Sequence, residues 1–280
     1  MFLRQGVVVD VLYVKRMVDS YGPDAVDVSG ETLSVFAALE SEHPVGVIGL
    51  VASDEDMSGL AEVTSDVIGI KDFKSLPRFI YIEGGLFSTQ FSGRPRPRVP
   101  LSLIWSVVAE GGGVVIGDVS AAHVRSPGLG GMYQTHGALL GAWPLAGPDS
   151  SCYEITRRTS RAGGDGRRLF LDPEEVLDPG TEYAVSVQPF LEGVENIALE
   201  FAIVLRTTGE PLLYRPFNGL EVDTSDVPGS MTQGDAILAS VRRHGDGFVA
   251  MIGGGFTYLA DESNDNGQLI RNMLNSVLTA

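Results

Sequence analysis

Short apolar runs alternate with stretches of helical periodicity through the first part of the chain. Gly6 to Val14 is β-branched and mostly apolar, which predicts a strand. Leu33, Phe36, Ala37 and Leu39 then fall on one helical face, with Ser29 as its N-cap. His43-Pro44 ends that helix, because the residue before a proline is pushed out of the helical region. Val45 to Val51 predicts a second buried strand running into the acidic loop Ser53-Asp54-Glu55-Asp56. A helix through Leu60 and Val63 and a short strand at Asp66 to Ile70 follow. Phe79 to Ile82 is a strong strand signal, turned by Gly84-Gly85. Leu101 to Glu110 predicts a helix with Leu101, Ile104, Trp105 and Val108 on one face. Three glycines from Gly111 close it, and Val114 to Ile116 forms the next strand, ending at Gly117-Asp118. Alternation of this kind predicts a mostly parallel central sheet with helices on both faces.

The closing stretch repeats the unit. Phe248 to Ile252 is an apolar run followed by Gly253-Gly254-Gly255, an acidic and amide-rich loop from Asp261, and a helix. Leu269, Ile270, Met273, Leu274, Val277 and Leu278 form its stripe, and Asn264 or Asp265 is placed to cap it. Between the two blocks the period changes. Gly128 to Gly147 shows none, and Cys152–Arg157, Arg168–Leu171, Tyr183–Phe190, Ile197–Leu205 and Pro211–Arg215 read as short strands separated by glycine turns. The organisation expected is a single α/β domain over residues 1–280 with a β-rich insert or sheet extension at 120–235, after which Ala236 to Val241 rejoins the core.

Composition narrows the classes. Apolar residues make up 44% and charged residues 20%, as in a folded globular chain. A net charge of −16 argues against a nucleic-acid partner, which requires clustered Lys and Arg. One cysteine, Cys152, excludes an intrachain disulfide and a multi-cysteine metal site. No stretch reaches the roughly twenty apolar residues of a membrane span, and Asp10 and Lys15 break the apolar core a signal peptide needs. A soluble, cytoplasmic, acidic protein is expected, without cofactor or metal. Its partner would be a protein or a small cationic ligand, with no nucleic acid and no membrane, and homo-oligomers remain possible.

Two segments carry a resemblance. One begins at Tyr81-Ile82-Glu83-Gly84-Gly85-Leu86-Phe87 and ends with Val107-Val108-Ala109-Glu110-Gly111-Gly112-Gly113-Val114-Val115-Ile116-Gly117-Asp118. The other is Gly245-Asp246-Gly247-Phe248-Val249-Ala250-Met251-Ile252-Gly253-Gly254 with the helix at Asp265-Asn266. Together, over residues 78–118 and 236–278, they resemble the class I glutamine amidotransferase-like fold. The resemblance implies a flavodoxin/amidotransferase-like sheet. Catalytic members carry a cysteine on a sharp strand-to-helix turn, with a histidine and an acid further on. Here that turn reads Gly117-Asp118-Val119-Ser120, so the resemblance implies a non-catalytic binding or assembly protein, not an amidotransferase.

Candidate chemistry collects where the predicted strands end, the edge at which open α/β sheets bind ligands. Asp54, Glu83, Asp118, Asp261 and Asp265 are the ligand-binding candidates, since parallel strands bring their loops to one side. The alternative is a hydrolase in the same loops, with Asp118, Ser120, His123 and His136 as candidate catalytic residues or with an acidic metal-assisted site. The bland alternatives are helix-capping carboxylates, a serine closing a turn and scattered loop histidines. The Arg94-Pro95-Arg96-Pro97-Arg98 loop reads as stiff, basic and solvated, or as a contact for an acidic partner.

Overall fold

The computed structural model describes residues 7–8, 10–16, 45–50, 73–88, 96–120, 124, 128–145, 168–171, 187–200, 202–216, 235–256 and 264–278. A nine-stranded sheet runs through them. Its strands are β1 (Val11–Arg16), β2 (Val45–Leu50), β3 (Phe79–Ile82), β4 (Gly113–Ile116), β5 (Ala142–Pro144), β6 (Leu205–Thr207), β7 (Glu210–Pro216), β8 (Asp235–His244) and β9 (Gly247–Ile252). The order is β2-β1-β3-β4-β9-β8-β6-β5, with β7 also on β8. From β2 to β9 every pairing is parallel. From β9 onward every pairing is antiparallel. The chain is thus mixed α/β, and the sheet is open between β2 and β5 among the described residues.

Successive strand residues point to opposite faces, so β1, β3, β4 and β9 each supply two cores. Val11, Tyr13, Phe79, Tyr81, Val115, Phe248, Ala250 and Ile252 share one. Leu12, Val14, Ile80, Ile82, Val114, Ile116, Val249 and Met251 share the other. Helix α1 (Leu101–Ala109) covers the second face with Leu103, Ile104, Val107 and Val108. The short helices α2 (Leu129–Thr135) and α3 (Gly137–Leu140) pack there too, in a stretch where the sequence shows no period. Helix α4 (Asn266–Leu278) covers the first face with the stripe read from the sequence. Arg78 fastens its last turn by donating to the carbonyls of Val277 and Leu278. At Gly113 a Cβ would lie 2.7 Å from the Phe248 ring, so only glycine lets β4 and β9 approach there.

Several local expectations change. Trp105 is 55% exposed and meets the His244 ring edge-on, because the i, i+4 pairs Leu103–Val107 and Ile104–Val108 take the inward face. The first strand is split: Val7–Val8 pairs with Phe73–Ser75, and β1 begins after Asp10. Gln188–Leu191 is a 3₁₀ turn with Pro189 at its start, not the end of a strand. Ile197–Leu205 is divided, since Ile197–Glu200 pairs with Arg168–Leu171 whereas Leu205 opens β6. The helix at 29–39, the strands at 66–70 and 152–157 and Cys152 lie outside the described residues.

Candidate functional site at the carboxyl edge

The parallel strands end on a buried polar cluster. Tyr13, in mid-β1 and in register with Tyr81 of β3, donates its hydroxyl to Glu83 Oε2 at 2.6 Å. Both are enclosed, Tyr13 at 0% and Glu83 at 4% exposure. The separation is in the short range of charge-assisted O–H···O bonds, and a carboxylate removed from water needs such a partner. Glu83 leaves β3 directly, and its own N–H donates to the carbonyl of Val14 at 2.9 Å.

The turn that follows is fixed residue by residue. Gly84 and Gly85 have φ of 76° and 79°, a left-handed pair that favours glycine. The Gly84 N–H donates to Asp118 Oδ2 at 3.2 Å and the Gly85 N–H to the Gly117 carbonyl at 2.8 Å. The Leu86 N–H donates to the Tyr133 hydroxyl at 2.8 Å. Arg98 completes the frame: its backbone N–H donates to the Leu86 carbonyl at 2.7 Å and its guanidinium Nη1 to the Glu83 carbonyl at 3.1 Å. Arg98 is buried, so the basic loop is not solvated throughout; Arg94 lies outside the described residues.

Asp118 ends β4 with φ of 59°, uncommon for any residue but glycine. Its Oδ1 accepts from the Phe256 N–H at 2.6 Å while Oδ2 accepts from Gly84, so the carboxylate ties the turn after β3 to the segment after β9. Ser120 is buried beside it and gives its backbone N–H to the Asp118 carbonyl at 2.8 Å. Tyr133 is wholly enclosed. Burial, the largest influence, pushes its phenol up to about 12, against the opposing pull of the Leu86 and Phe87 amides and the Arg98 charge. Phe87 packs edge-on to Tyr133 at 4.9 Å and stacks with His136 at 5.8 Å.

Of the residues expected from the sequence, Glu83, Asp118, Ser120 and His136 are thus described at or beside this edge. Asp265 is turned elsewhere: its Oδ2 accepts from the Glu195 and Asn196 N–H groups, securing the start of α4. Asn264 accepts from the Asn266 N–H as a local cap. Asp54, His123 and Asp261 lie outside the described residues. Beyond β9 the N–H groups of Gly253 and Gly255 donate to the carbonyls of Leu238 and Glu200. No group of three or more His, Cys, Asp or Glu among the described residues is arranged to hold a metal ion. Sequence reasoning missed Tyr13, Arg98 and Tyr133. Tyr13 alone left a signal, a polar tip within the apolar run Val11 to Val14.

No family model matches the chain, and no curated protein does. Among solved structures it is similar to a carbohydrate deacetylase, at 10% identity and TM-score 0.48, covering 96% of this chain and 33% of that one. It is also similar to a β-galactosidase from Rahnella sp. R3, at 14% identity and TM-score 0.46, covering 95% and 31%. A cytoplasmic protein from Salmonella typhimurium matches at 14% identity and TM-score 0.45, covering 96% and 99%. The chain therefore spans about a third of the deacetylase and of the β-galactosidase. These comparisons correct the amidotransferase resemblance: the similar structures carry the names of a deacetylase, glycoside hydrolases and cytoplasmic proteins. The amidotransferase-like description is withdrawn, and with it the non-catalytic binding or assembly role built on it. No helix among the described residues is long and apolar enough to cross a membrane.

Proposed function

We propose that this protein is a hydrolase of a small polar substrate, with Glu83 as its general acid–base at the carboxyl edge of the parallel strands. The observation that carries the reading is the enclosed Tyr13–Glu83 hydrogen bond and its position. Numbered by the chain, the parallel strands run 2-1-3-4 and then the closing β9, which supports a flavodoxin-like winding. In such sheets the crevice opens where the strand order reverses, between β1 and β3. Tyr13 lies on one of those strands and Glu83 immediately follows the other.

In this reading Glu83 accepts a proton from water as the water oxygen attacks the electrophilic carbon of the substrate. The same proton then passes to the leaving group, so that one bond to carbon forms and one breaks. Tyr13 holds the carboxyl in place and the enclosed surroundings strengthen the interaction. Asp118 and Ser120 border the same edge, and Asp118 serves by fixing the turn.

The test is turnover of a panel of chromogenic esters, amides and acetals by purified protein. Hydrolysis of at least one class is expected, lowered roughly 10²- to 10⁴-fold by Glu83→Gln and to a smaller extent by Tyr13→Phe. Absence of turnover across the panel, or full activity in a folded Glu83→Gln variant, would overturn the reading.

A further inference from the structure

We propose that Arg98 is a positioning residue for Glu83, and this rests on the hydrolase reading above. Arg98 touches the turn at both ends. Its Nη1 reaches the Glu83 carbonyl and its backbone N–H reaches the Leu86 carbonyl. Between these points the chain makes two consecutive left-handed steps, at Gly84 and Gly85. Glycine adopts that conformation without steric cost but also leaves it readily, so the turn depends on outside restraint. The restraints come from four places: Val14 on the Glu83 N–H, Asp118 on Gly84, Gly117 on Gly85 and Tyr133 on Leu86. All of these hold N–H groups. Arg98 acts on the acceptor side instead: its guanidinium holds the Glu83 carbonyl and its backbone N–H the Leu86 carbonyl, so replacing the side chain removes the guanidinium's hold on the Glu83 end of the turn.

Placing a guanidinium where it is only 7% exposed is costly. A stiff arm delivers it, since Pro97 and Pro100 flank Arg98-Val99, Val99 is itself fully buried, and Phe87–Ser88 pairs with Arg96–Pro97. The described end of the proline-spaced arginine loop, residues 96–100, is on this account the strut that keeps the Glu83 carboxyl aimed at the crevice. Misplacement of a reacting group by about 1 Å costs on the order of 100-fold in rate.

The experiment compares wild type, Arg98→Met and Arg98→Lys by peptide-level hydrogen exchange over residues 83–88 and by steady-state kinetics. Arg98→Met is expected to speed exchange of the Gly84 to Leu86 amides, and to lower kcat roughly 100-fold with KM unchanged. Arg98→Lys, which still donates to the Glu83 carbonyl, is expected to restore much of both. Should Arg98→Met fail to fold, exchange in the lysine variant intermediate between wild type and a mobile turn supports the same conclusion. Unchanged exchange in a folded Arg98→Met variant overturns the proposal, as does a loss confined to KM or to thermal stability. If wild type turns over nothing, the hydrolase reading falls separately, and exchange at the turn still decides whether Arg98 braces it.

Discussion

The two halves of the sheet solve different problems. From β2 to β9 the strands are parallel and short, and β3, β4 and β9 are buried along their whole length. Both faces of these three are covered, so their polar neighbours Glu83 and Asp118 sit just past the strand ends. Beyond β9 the antiparallel strands are joined more directly, and β8 runs ten residues with Ile237, Arg242, Arg243 and His244 reaching partial or full exposure. There polar groups serve the sheet itself. Thr207 and Ser240 bond to one another across strands at 2.5 Å, and Arg242 Nη1 donates to the Thr208 carbonyl at 3.0 Å. In the parallel half the buried polar side chains instead converge from distant segments on one edge. Sheet direction thus decides whether a polar residue is local mortar or part of a shared site.

The largest effect that would break this contrast is kinetic. Glu83→Gln should lower hydrolysis by roughly 10²-fold or more, while Ser240→Ala leaves the rate unaltered; equal losses would erase the distinction between the halves. Next comes packing, read by denaturant unfolding. Ile80→Ala, in a strand covered on both faces, should cost about 2–5 kcal/mol. Ile237→Ala, partly exposed on β8, should cost nearer 1 kcal/mol.

Alkaline titration sharpens the contrast further. Burial raises the Tyr133 phenol from 10.0 to about 12, so the folded state retains this proton where the unfolded chain has released it. The sign follows: the contribution is fully present below pH 10 and is lost as the pH rises through about 12. Its size approaches about 3 kcal/mol. The measurement is unfolding free energy from pH 9 to 12, with the difference between wild type and Tyr133→Phe isolating this group. The smallest effect is Arg242→Ala on the antiparallel hairpin, expected within about 0.5 kcal/mol of wild type with no change in rate.

Much of the parallel half was legible along the chain because its signals are local. The α4 stripe from Leu269 to Leu278 is the buried face found, and Phe79–Ile82, Val114–Ile116 and Phe248–Ile252 are strands where the apolar runs lie. Periodicity reports which face of an element is apolar, and a helix or strand covered by others needs little more. Trp105 shows the limit: it fits the sequence stripe, yet neighbouring pairs with better geometry took the core.

The site was legible only in part. The run of carboxylates after the strands drew attention to their carboxyl ends, where Glu83 and Asp118 are buried. Their roles could not be read, because each depends on a partner far away in the chain. Tyr13 meets Glu83 across 70 residues, and Asp118 meets Phe256 across 138. Arg98 looked solvated because arginines among prolines usually are, and the fold buried it against a carbonyl of its own turn. What the sequence determined by itself was therefore the strongly patterned elements, β3, β4, β9 and α4, since these follow from spacing. Which polar groups touch, which are structural ties and which direction the later strands run was decided by tertiary packing, where burial forces each polar atom to find a partner irrespective of its distance along the chain.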